Sequence, residues 1–496
     1  MRQTHNPQLK FGETPISEIN IDLTTRDDIP PLLLGLQHIF INTEIRDQVF
    51  SVLEETISPD KNHNNGRPGM DLWKILVLGV LRLNLNWDYD RLQEMANNHK
   101  TIRQMLGHGF IDNDHTYKLQ TLKDNVCLLT PDALIKINEI VVKAGHKLVK
   151  KDDETLEGRC DSFVVETNVH YPTDINLLYD AIRKVITLVA ALCIILDISD
   201  WRQSKHNLKT IKKLFRKAQQ LKRSTSTKPE KKKLREIQII EAHQEYIDKV
   251  KEFLARACTT IEKIDLDSLP LNIELLRISA KIMDIRNYIQ HAERQIDQIN
   301  RRVIEGKKIP HAEKVFSIFQ DHTEWISKGK AGVPVELGLK VCVLEDQYGF
   351  ILQHKVMQKQ TDDQVAVPMV KQTLEIFPEL NSCSFDKGFH SPDNQSDLRD
   401  LLNTVVLPKK GRLSKADKER EYSVDFINKR HQHSAVESAI NALEVHGLDM
   451  CPDHGIHGFE RYVSMAVLAR NIQQLGVKLR NMEFKKQRKK KLQKAA

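Results

Sequence analysis

Three acidic residues, far apart in the sequence, have the types and local settings needed to act together on a phosphodiester. Asp161 stands at the start of a predicted strand, Asp386 at the end of a later strand, and Glu437 inside a predicted helix. If the strands are neighbours and the helix packs across their ends, the carboxylates converge, and their repulsion favours a bound cation. Oxygen ligands suit Mg²⁺ or Mn²⁺, and two such ions can activate a water or a 3′-hydroxyl and stabilise the leaving oxygen. A lone acidic residue on an amphipathic helix is more often simply solvated, so spacing alone leaves the site open.

The helix predicted around Glu437 has a polar edge beside an apolar face. At about 100° per residue, Arg430 and His433 fall within about 40° of Glu437. Lys387 directly follows Asp386 in the sequence. These three basic side chains are therefore candidates for contacts with DNA phosphate.

The segments that must position these residues alternate between strand and helix patterns. Strands are predicted for CDSFVVET, for VPVELGLKVCVLE and YGFILQHKVM as a hairpin, and for the short runs SCSFD and TVVLP. Helices are predicted at 174–196, 362–377, 430–446 and 459–475. This order predicts an α/β fold with one long interruption.

The interruption, residues 201–310, is predicted to be an all-helical insertion with a coiled-coil seam. Its apolar residues recur at alternating steps of three and four. They are Leu275, Ile278, Ile282, Ile285, Ile289, Ala292, Ile296, Ile299 and Val303. A second stripe at 230–262, joined through a linker containing Pro270, predicts an antiparallel hairpin with this helix. Because the second stripe contains a histidine and a tyrosine, we expect a further apolar partner, either a third helix from 205–222 or a second subunit.

Positive charge is concentrated in two segments. Residues 202–236 hold fourteen Lys and Arg against two Glu, and the tail 477–496 contains KKQRKKKLQK, with seven positive residues in ten. With a net charge of +8 and only 6% aromatic residues, the chain favours duplex DNA over single-stranded nucleic acid as a partner. Residues 1–150 read as short helices. They suit either a helix-turn-helix-like DNA-binding domain or a helical docking domain that contacts no nucleic acid.

Some classes of protein are excluded by the composition. Seven cysteines without a CxxC pair indicate reduced thiols rather than a zinc site or a disulfide framework. No apolar run is long enough to cross a bilayer, and the first twelve residues lack the apolar core of a signal peptide. We therefore expect a cytoplasmic protein with no membrane partner.

Five blocks of sequence carry a further signal. Three of them are DSFVVETNVHYPTDINLL at 161–178, SFDKGFHSPDN at 384–394, and the segment 430–476 that begins RHQHSAVESAINALEVHG. The other two are RPGMDLWKILVLGVLRLNLNWDYDRLQEMA at 67–96 and HTEWISKGKAGVPVELGLKV at 322–341. In this order, the blocks resemble those of DDE-type bacterial insertion-sequence transposases, especially the ISNCY group. The first three resemble the family's catalytic blocks.

The resemblance implies an RNase H-like catalytic domain formed by residues 155–200 and 312–476. It places the DDE triad on Asp161, Asp386 and Glu437. It also implies Mg²⁺-dependent cleavage at transposon ends and strand transfer into target DNA. The homo-oligomer on DNA is expected from the helical insertion instead, because a second subunit that covers its seam would pair two active sites for two transposon ends.

The sequence departs from related groups around the catalytic glutamate. Those groups often carry a Tyr and an Arg before it and a Lys after it. Here the upstream positions hold Arg430 and His433, and the downstream position is Glu444.

Two other functions remain compatible with the same residues. A nuclease on this scaffold would cut but not join, because hydrolysis and transesterification differ only in whether water or a 3′-hydroxyl attacks. A DNA-binding or scaffold protein would use the basic segments and the coiled coil and leave the acidic residues idle.

Overall fold

A mixed sheet forms around one long central strand. In the computed structural model, which describes residues 2–56, 69–109, 115–221, 228–266, 273–327 and 334–495, this strand is β1 (Leu156–Thr167). The other strands are β2 (Glu324–Ser327), β3 (Val335–Glu345), β4 (Ile351–Met357), β5 (Leu380–Phe385), β6 (Thr404–Val406) and β7 (Met450–Cys451). The sheet order is β2-β3-β1-β5-β6, with β4 paired to β3 and β7 paired to β1. β1 runs antiparallel to β3 and parallel to β5, and β5 runs parallel to β6. The predicted α/β class is thus confirmed.

β1 is longer than the predicted strand. The sequence placed Asp161 at the start of the strand, but the pairing begins at Leu156, whose backbone N–H donates to Glu379 O. Asp161 therefore lies in the middle of β1. Buried and half-buried residues alternate from Leu156 to Cys160, as expected for a strand with one face on the core. The charged residues Glu157 and Arg159 stand between the buried positions, so the predicted strand began only at Cys160.

Among the described residues that precede β1, seven segments form α-helices. They are α1 (Ile29–Ile41), α2 (Thr43–Glu55), α3 (Leu72–Asn84), α4 (Tyr89–Asn98), α5 (Lys100–Met105), α6 (Leu119–Val126) and α7 (Pro131–Val149). Helix α3 is apolar almost all round, and nearly every residue in it is buried. The side chains of Asp88 and Thr130 accept backbone N–H groups at the starts of α4 and α7. The apolar side chains of these helices and of the sheet form one core. They therefore belong to one unit, whereas the sequence predicted a separate domain at 1–150.

The predicted hairpin of β3 and β4 is confirmed, and a buried aspartate holds its turn. Asp346 Oδ1 accepts hydrogen bonds from Tyr348 N (2.8 Å) and Phe350 N (2.9 Å). Its Oδ2 lies 2.6 Å from His146 Nε2 on α7. Gly349 takes φ +84°, a left-handed conformation that favours glycine. The turn is thereby fastened to the helical layer.

Six α-helices follow β4 in the described part of the chain. They are α12 (Asp362–Ile376), α13 (Pro392–Leu401), α14 (Lys415–Glu421), α15 (Val424–His433), α16 (Ala435–Leu443) and α17 (Gly455–Ala495). The helix predicted at 430–446 is therefore divided between α15 and α16 at Ser434. The basic tail 477–496 continues α17 to Ala495, because Lys, Arg and Gln are good helix formers. α17 packs closely on α1, and a Cβ at Gly476 would lie only 1.7 Å from Pro31 O.

In its described residues, a second unit consists of helices and the segments that connect them. Its long helices are α8 (Asp174–Ile195), α9 (Ser204–Leu221), α10 (Pro229–Glu262) and α11 (Ile273–Ile299), and a π-helical turn, Asn300–Ile304, follows α11. The seam of α11 is buried from Ile278 to Ile299, as predicted, but α8 and not α10 is its main partner. The predicted α10–α11 hairpin is wrong in this respect. The buried face of α8 is apolar apart from Asp180, whereas the stripe of α10 includes His243 and Tyr246. The third helix predicted from 205–222 forms as α9 and packs on α10 and α8, but α8 and not α9 covers the α11 seam.

The boundary of this unit differs from the predicted insertion at 201–310. The unit spans Val169–Thr323, and the other unit contains Met1–Asn168 and Glu324–Ala496. The sequence assigned 174–196 to the catalytic domain, but α8 packs with α11 because both carry matching apolar faces. The linker around Pro270 lies outside the described residues, as do Lys222 and Arg223 of the positively charged stretch 202–236.

Within the described ranges, no helix combines the length and the apolar character needed to cross a bilayer.

We expect Ile285→Ala to weaken the helical unit, because Ile285 is fully buried in the α11 seam. The free energy of opening of α8 and α11 should fall by roughly 2–5 kcal/mol. Native-state hydrogen exchange read by mass spectrometry measures it. Met283→Ala is the matched control on the same helix, since Met283 is 70% exposed, and it should change the value by less than about 0.5 kcal/mol. Equal effects of the two substitutions would contradict the observed packing.

Candidate functional site

The register between β1 and β5 sets the positions of two of the three predicted carboxylates. Cys160 of β1 pairs with Phe385 of β5 in the parallel ladder. Asp161 and Asp386 are the next residues along the two segments, so they stand at the same level, just beyond the last pair of the β1–β5 ladder. Asp161 remains within β1, paired with Val343 of β3, and is half-buried, whereas Asp386 is exposed just beyond the end of β5. The two residues are therefore neighbours on adjacent strands.

The third carboxylate comes from a helix that packs on β1. α16 contacts β1 through a buried apolar face that includes Val436 and Ile440. Glu437 lies in the first turn of α16 and is exposed at the edge of that face. This is the position that the helical periodicity predicted.

The surroundings of Asp161 change the pKa of its carboxyl group. It is raised to about 6, first by burial of the carboxyl and then by the negative charges of Asp386, Asp362 and Glu437. A hydrogen bond from Ser162 N to Asp161 Oδ1 (2.7 Å) acts in the opposite direction. The structure therefore brings the three predicted carboxylates into one electrostatic cluster.

Asp362 is a fourth carboxylate near Asp161 that sequence reasoning missed. Its Oδ1 accepts a hydrogen bond from Ser162 Oγ (2.7 Å), and its Oδ2 lies 2.9 Å from Lys340 Nζ. In the sequence, Asp362 looks like an ordinary acidic residue in the first turn of a helix that follows a Thr361 capping box. No pattern in the local sequence shows that Asp362 also lies near Asp161.

The carboxylates differ in how their charge is compensated. Asp362 is paired with Lys340, and nearby Glu345 is paired with Arg159 at 3.6 Å. In the described part of the chain, no Lys, Arg or His side chain forms an ion pair with Asp161, Asp386 or Glu437. The cluster thus holds negative charge that the protein itself does not neutralise.

The predicted phosphate contacts differ in their surroundings. His433, the last residue of α15, has Nδ1 3.0 Å from Ser384 Oγ on β5. Its pKa is lowered mainly by burial, with Arg159 and Arg430 also lowering it and the charges of Asp386 and Glu437 opposing them. Arg430 is exposed one turn earlier on the same helix.

Lys387 is the least constrained of the predicted contacts. It follows Asp386 and is exposed. Its ammonium group forms no ion pair with the residues that the structure describes. Its position beside the carboxylates therefore follows only from its being the residue after Asp386.

The carboxylate cluster has the chemistry of a magnesium site but not the form of a closed cage. No three His, Cys, Asp or Glu side chains of the described ranges are arranged as a ready-made metal site. Mg²⁺ usually keeps several waters and uses one or two carboxylates together with substrate phosphates. An open, all-oxygen donor set with uncompensated negative charge fits that mode of binding.

Comparisons with known proteins give no further guide to function. No protein-family model, curated protein or solved structure matches this chain. The functional conclusion therefore depends on the residues and geometry of the site.

We expect Asp386→Asn to lower the pKa of Asp161 from about 6, because one neighbouring negative charge is removed. At pH 5 a larger fraction of Asp161 should then be ionised. Titration of ¹³C-labelled aspartate carboxyls by NMR, in EDTA, measures the change. Asp397→Asn, on the exposed side of α13, is the control and should leave the pKa of Asp161 unchanged. An unaltered Asp161 titration in Asp386→Asn would show that the two carboxylates are not neighbours.

Proposed function

We propose that the protein is a DDE-type DNA transposase. It binds the terminal inverted repeats of an element, cleaves phosphodiester bonds at the element ends, and joins them to target DNA by metal-dependent transesterification. The single observation that carries this proposal is the convergence of Asp161, Asp386 and Glu437 from two paired strands and a helix packed on them. The family resemblance of the sequence blocks around these residues supports it.

Asp161, Asp386 and Glu437 would hold Mg²⁺ or Mn²⁺, with two ions as the expected number. The bound ions would supply activation of a water or a 3′-hydroxyl and stabilisation of the leaving oxygen. Ser162 N fixes the orientation of the Asp161 carboxylate through its hydrogen bond to Oδ1. Lys340 neutralises Asp362, so the charge left for a cation is concentrated on the other three carboxylates.

The basic side chains near the cluster would bind the substrate backbone. Arg430 and Lys387 are exposed cations that can pair with phosphate. The lowered pKa of His433 favours a neutral imidazole at pH 7. His433 would therefore contribute a hydrogen bond to phosphate rather than a positive charge.

The remaining parts of the proposal concern fold and partners. The mixed sheet, with acidic residues on two neighbouring strands, supports an RNase H-like catalytic fold. The helices α1–α7 would recognise the end sequence, and the basic residues of 202–236 and of the tail would grip duplex DNA without sequence preference. The protein would act in the cytoplasm, as a homo-oligomer on DNA.

Conservative replacement of any one triad residue should abolish catalysis. The variants Asp161→Asn, Asp386→Asn and Glu437→Gln should lose Mg²⁺-dependent cleavage and joining of duplexes that carry the DNA flanking this coding sequence. Binding to the same duplexes should persist, because the residues proposed to bind duplex DNA lie in other parts of the chain. Gel assays of nicked and joined products, with gel-shift binding beside them, measure both. Asp393→Asn, an exposed residue of α13, is the control.

Each failure has a distinct meaning. Full activity in any triad variant, or in excess EDTA, would remove the metal mechanism. Cleavage without joining in the wild-type protein would favour a nuclease, and binding without cleavage would favour a scaffold.

Removal of residues 485–494 should weaken binding to all duplexes about equally. These residues belong to the basic end of α17, which is exposed from Lys485 to Gln493. Lys or Arg contacts to phosphate carry no sequence information. Dissociation constants for a cognate end and for a random duplex of equal length, measured across a salt series, provide the test. A loss confined to the cognate end would contradict this division of roles.

A further inference from the structure

The segment after β6 approaches the carboxylate cluster from the same edge of the sheet. β1, β5 and β6 are parallel to one another, so their carboxyl ends face the same edge. Asp386 follows β5 directly, and the segment 409–420 begins three residues after β6. Lys410 Nζ donates to Gly388 O at 2.6 Å, only two residues beyond Asp386. We call residues 409–420 the basic segment.

The basic segment is strongly positive for its length. It contains six cations and two acids, a surplus of 6 − 2 = 4 charges. The cations are Lys409, Lys410, Arg412, Lys415, Lys418 and Arg420. Because it contains no aromatic residue, it offers charge without a stacking surface for bases.

Internal contacts hold the basic segment in one shape. Lys409 N donates to Glu421 Oε1 at 2.9 Å, and Lys409 Nζ pairs with Asp417. Ser414 and Asp417 form the capping box that begins α14. The pKa of Asp417 is held well below its usual range by hydrogen bonds from Lys409 and Ser414. Arg420 pairs with Glu421, which is buried.

Three cations of the basic segment take no part in these internal contacts. Arg412, Lys415 and Lys418 are exposed, and they form no ion pair with the described residues. Cations on a segment that is already ordered lose little entropy when they bind, which is the condition for effective phosphate contacts. The carboxylate cluster nearby repels phosphate, so a substrate backbone there needs positive charge of this kind.

We propose that Arg412, Lys415 and Lys418 bind the phosphate backbone of duplex DNA next to the cleavage site. The inference rests on the proposed function, and it names where the substrate backbone lies. The contact is to phosphate and not to base edges. It therefore holds the duplex against the carboxylates and selects no sequence.

The binding test uses the full chain and a 40-base-pair random duplex in EDTA, so that cleavage plays no part. Arg412→Ala, Lys415→Ala and Lys418→Ala combined should weaken binding and reduce the slope of log K against log salt by about 3. Replacement of the same positions by Lys, Arg and Arg should restore binding, which separates charge from folding. An unchanged dissociation constant and slope in the triple alanine variant overturn the inference, whether or not the wild type cleaves DNA. A loss seen only with duplex RNA overturns it as well.

The position test compares two variants of equal charge loss. Lys231→Ala, Lys232→Ala and Lys233→Ala combined remove three exposed cations from α10. On a cognate end, neutral methylphosphonates within three nucleotides of the cleaved bond should weaken binding of the wild type and of the α10 variant. They should leave the basic-segment variant almost unaffected. Equal sensitivity of all three proteins overturns the placement beside the cleavage site, while cleavage itself would still support the proposed function.

Discussion

The parallel pairing of β1 with β5 is the constraint on which the rest of the site depends. The ladder ends with Cys160 of β1 opposite Phe385 of β5, and the residue that follows each of them is an aspartate, so the two aspartates stand at the same level. Two carboxylates in that position repel each other, and the burial of one of them adds to the cost. α16 increases the repulsion when it packs on β1 and brings Glu437 to the same edge. A protein keeps such an arrangement at the expense of stability, which is why charge clusters of this kind are commonly functional.

Carboxylates next to the cluster are paired with cationic side chains, whereas the three carboxylates of the cluster are not paired with any in the described ranges. On β3, Lys340 pairs with Asp362, and Glu345 at the end of the same strand pairs with Arg159 of β1. The chain thus supplies partners for carboxylates on both sides of Asp161. The pKa of Glu345 is nevertheless raised to about 7 by burial, against the pull of Arg159. Burial is therefore the largest cause of the raised pKa at both Asp161 and Glu345. The two carboxyls differ in that Glu345 has a cationic partner and Asp161 has none among the described residues.

Local patterns in the sequence predicted what depends on short-range order, and missed what depends on partner choice. The α11 seam and the buried face of α16 follow from helical periodicity, and both are confirmed. The predicted partner of the α11 seam was wrong, because periodicity identifies an apolar face without showing which other helix covers it. Asp362 and the basic segment were missed for a related reason. Each looks like ordinary helix-start chemistry in sequence, and only the pairing of distant strands brings it beside Asp161 or Asp386.

The length of chain between Asp161 and Asp386 has little effect on the geometry of the site, for a reason visible in the sheet. Glu166, near the end of β1, pairs with Gly338 of β3, and Gly338 also pairs with Glu324, the first residue of β2. The chain therefore leaves the sheet at Asn168 and returns to it at Glu324 about two strand spacings away, roughly 10 Å. Closing a long insertion across so short a gap costs little more than closing a short one, because the entropy grows only with the logarithm of length. The residues from Val169 to Thr323 can thus build their own core around α8 and α11, while the register of β1 with β5 is set independently by the sheet.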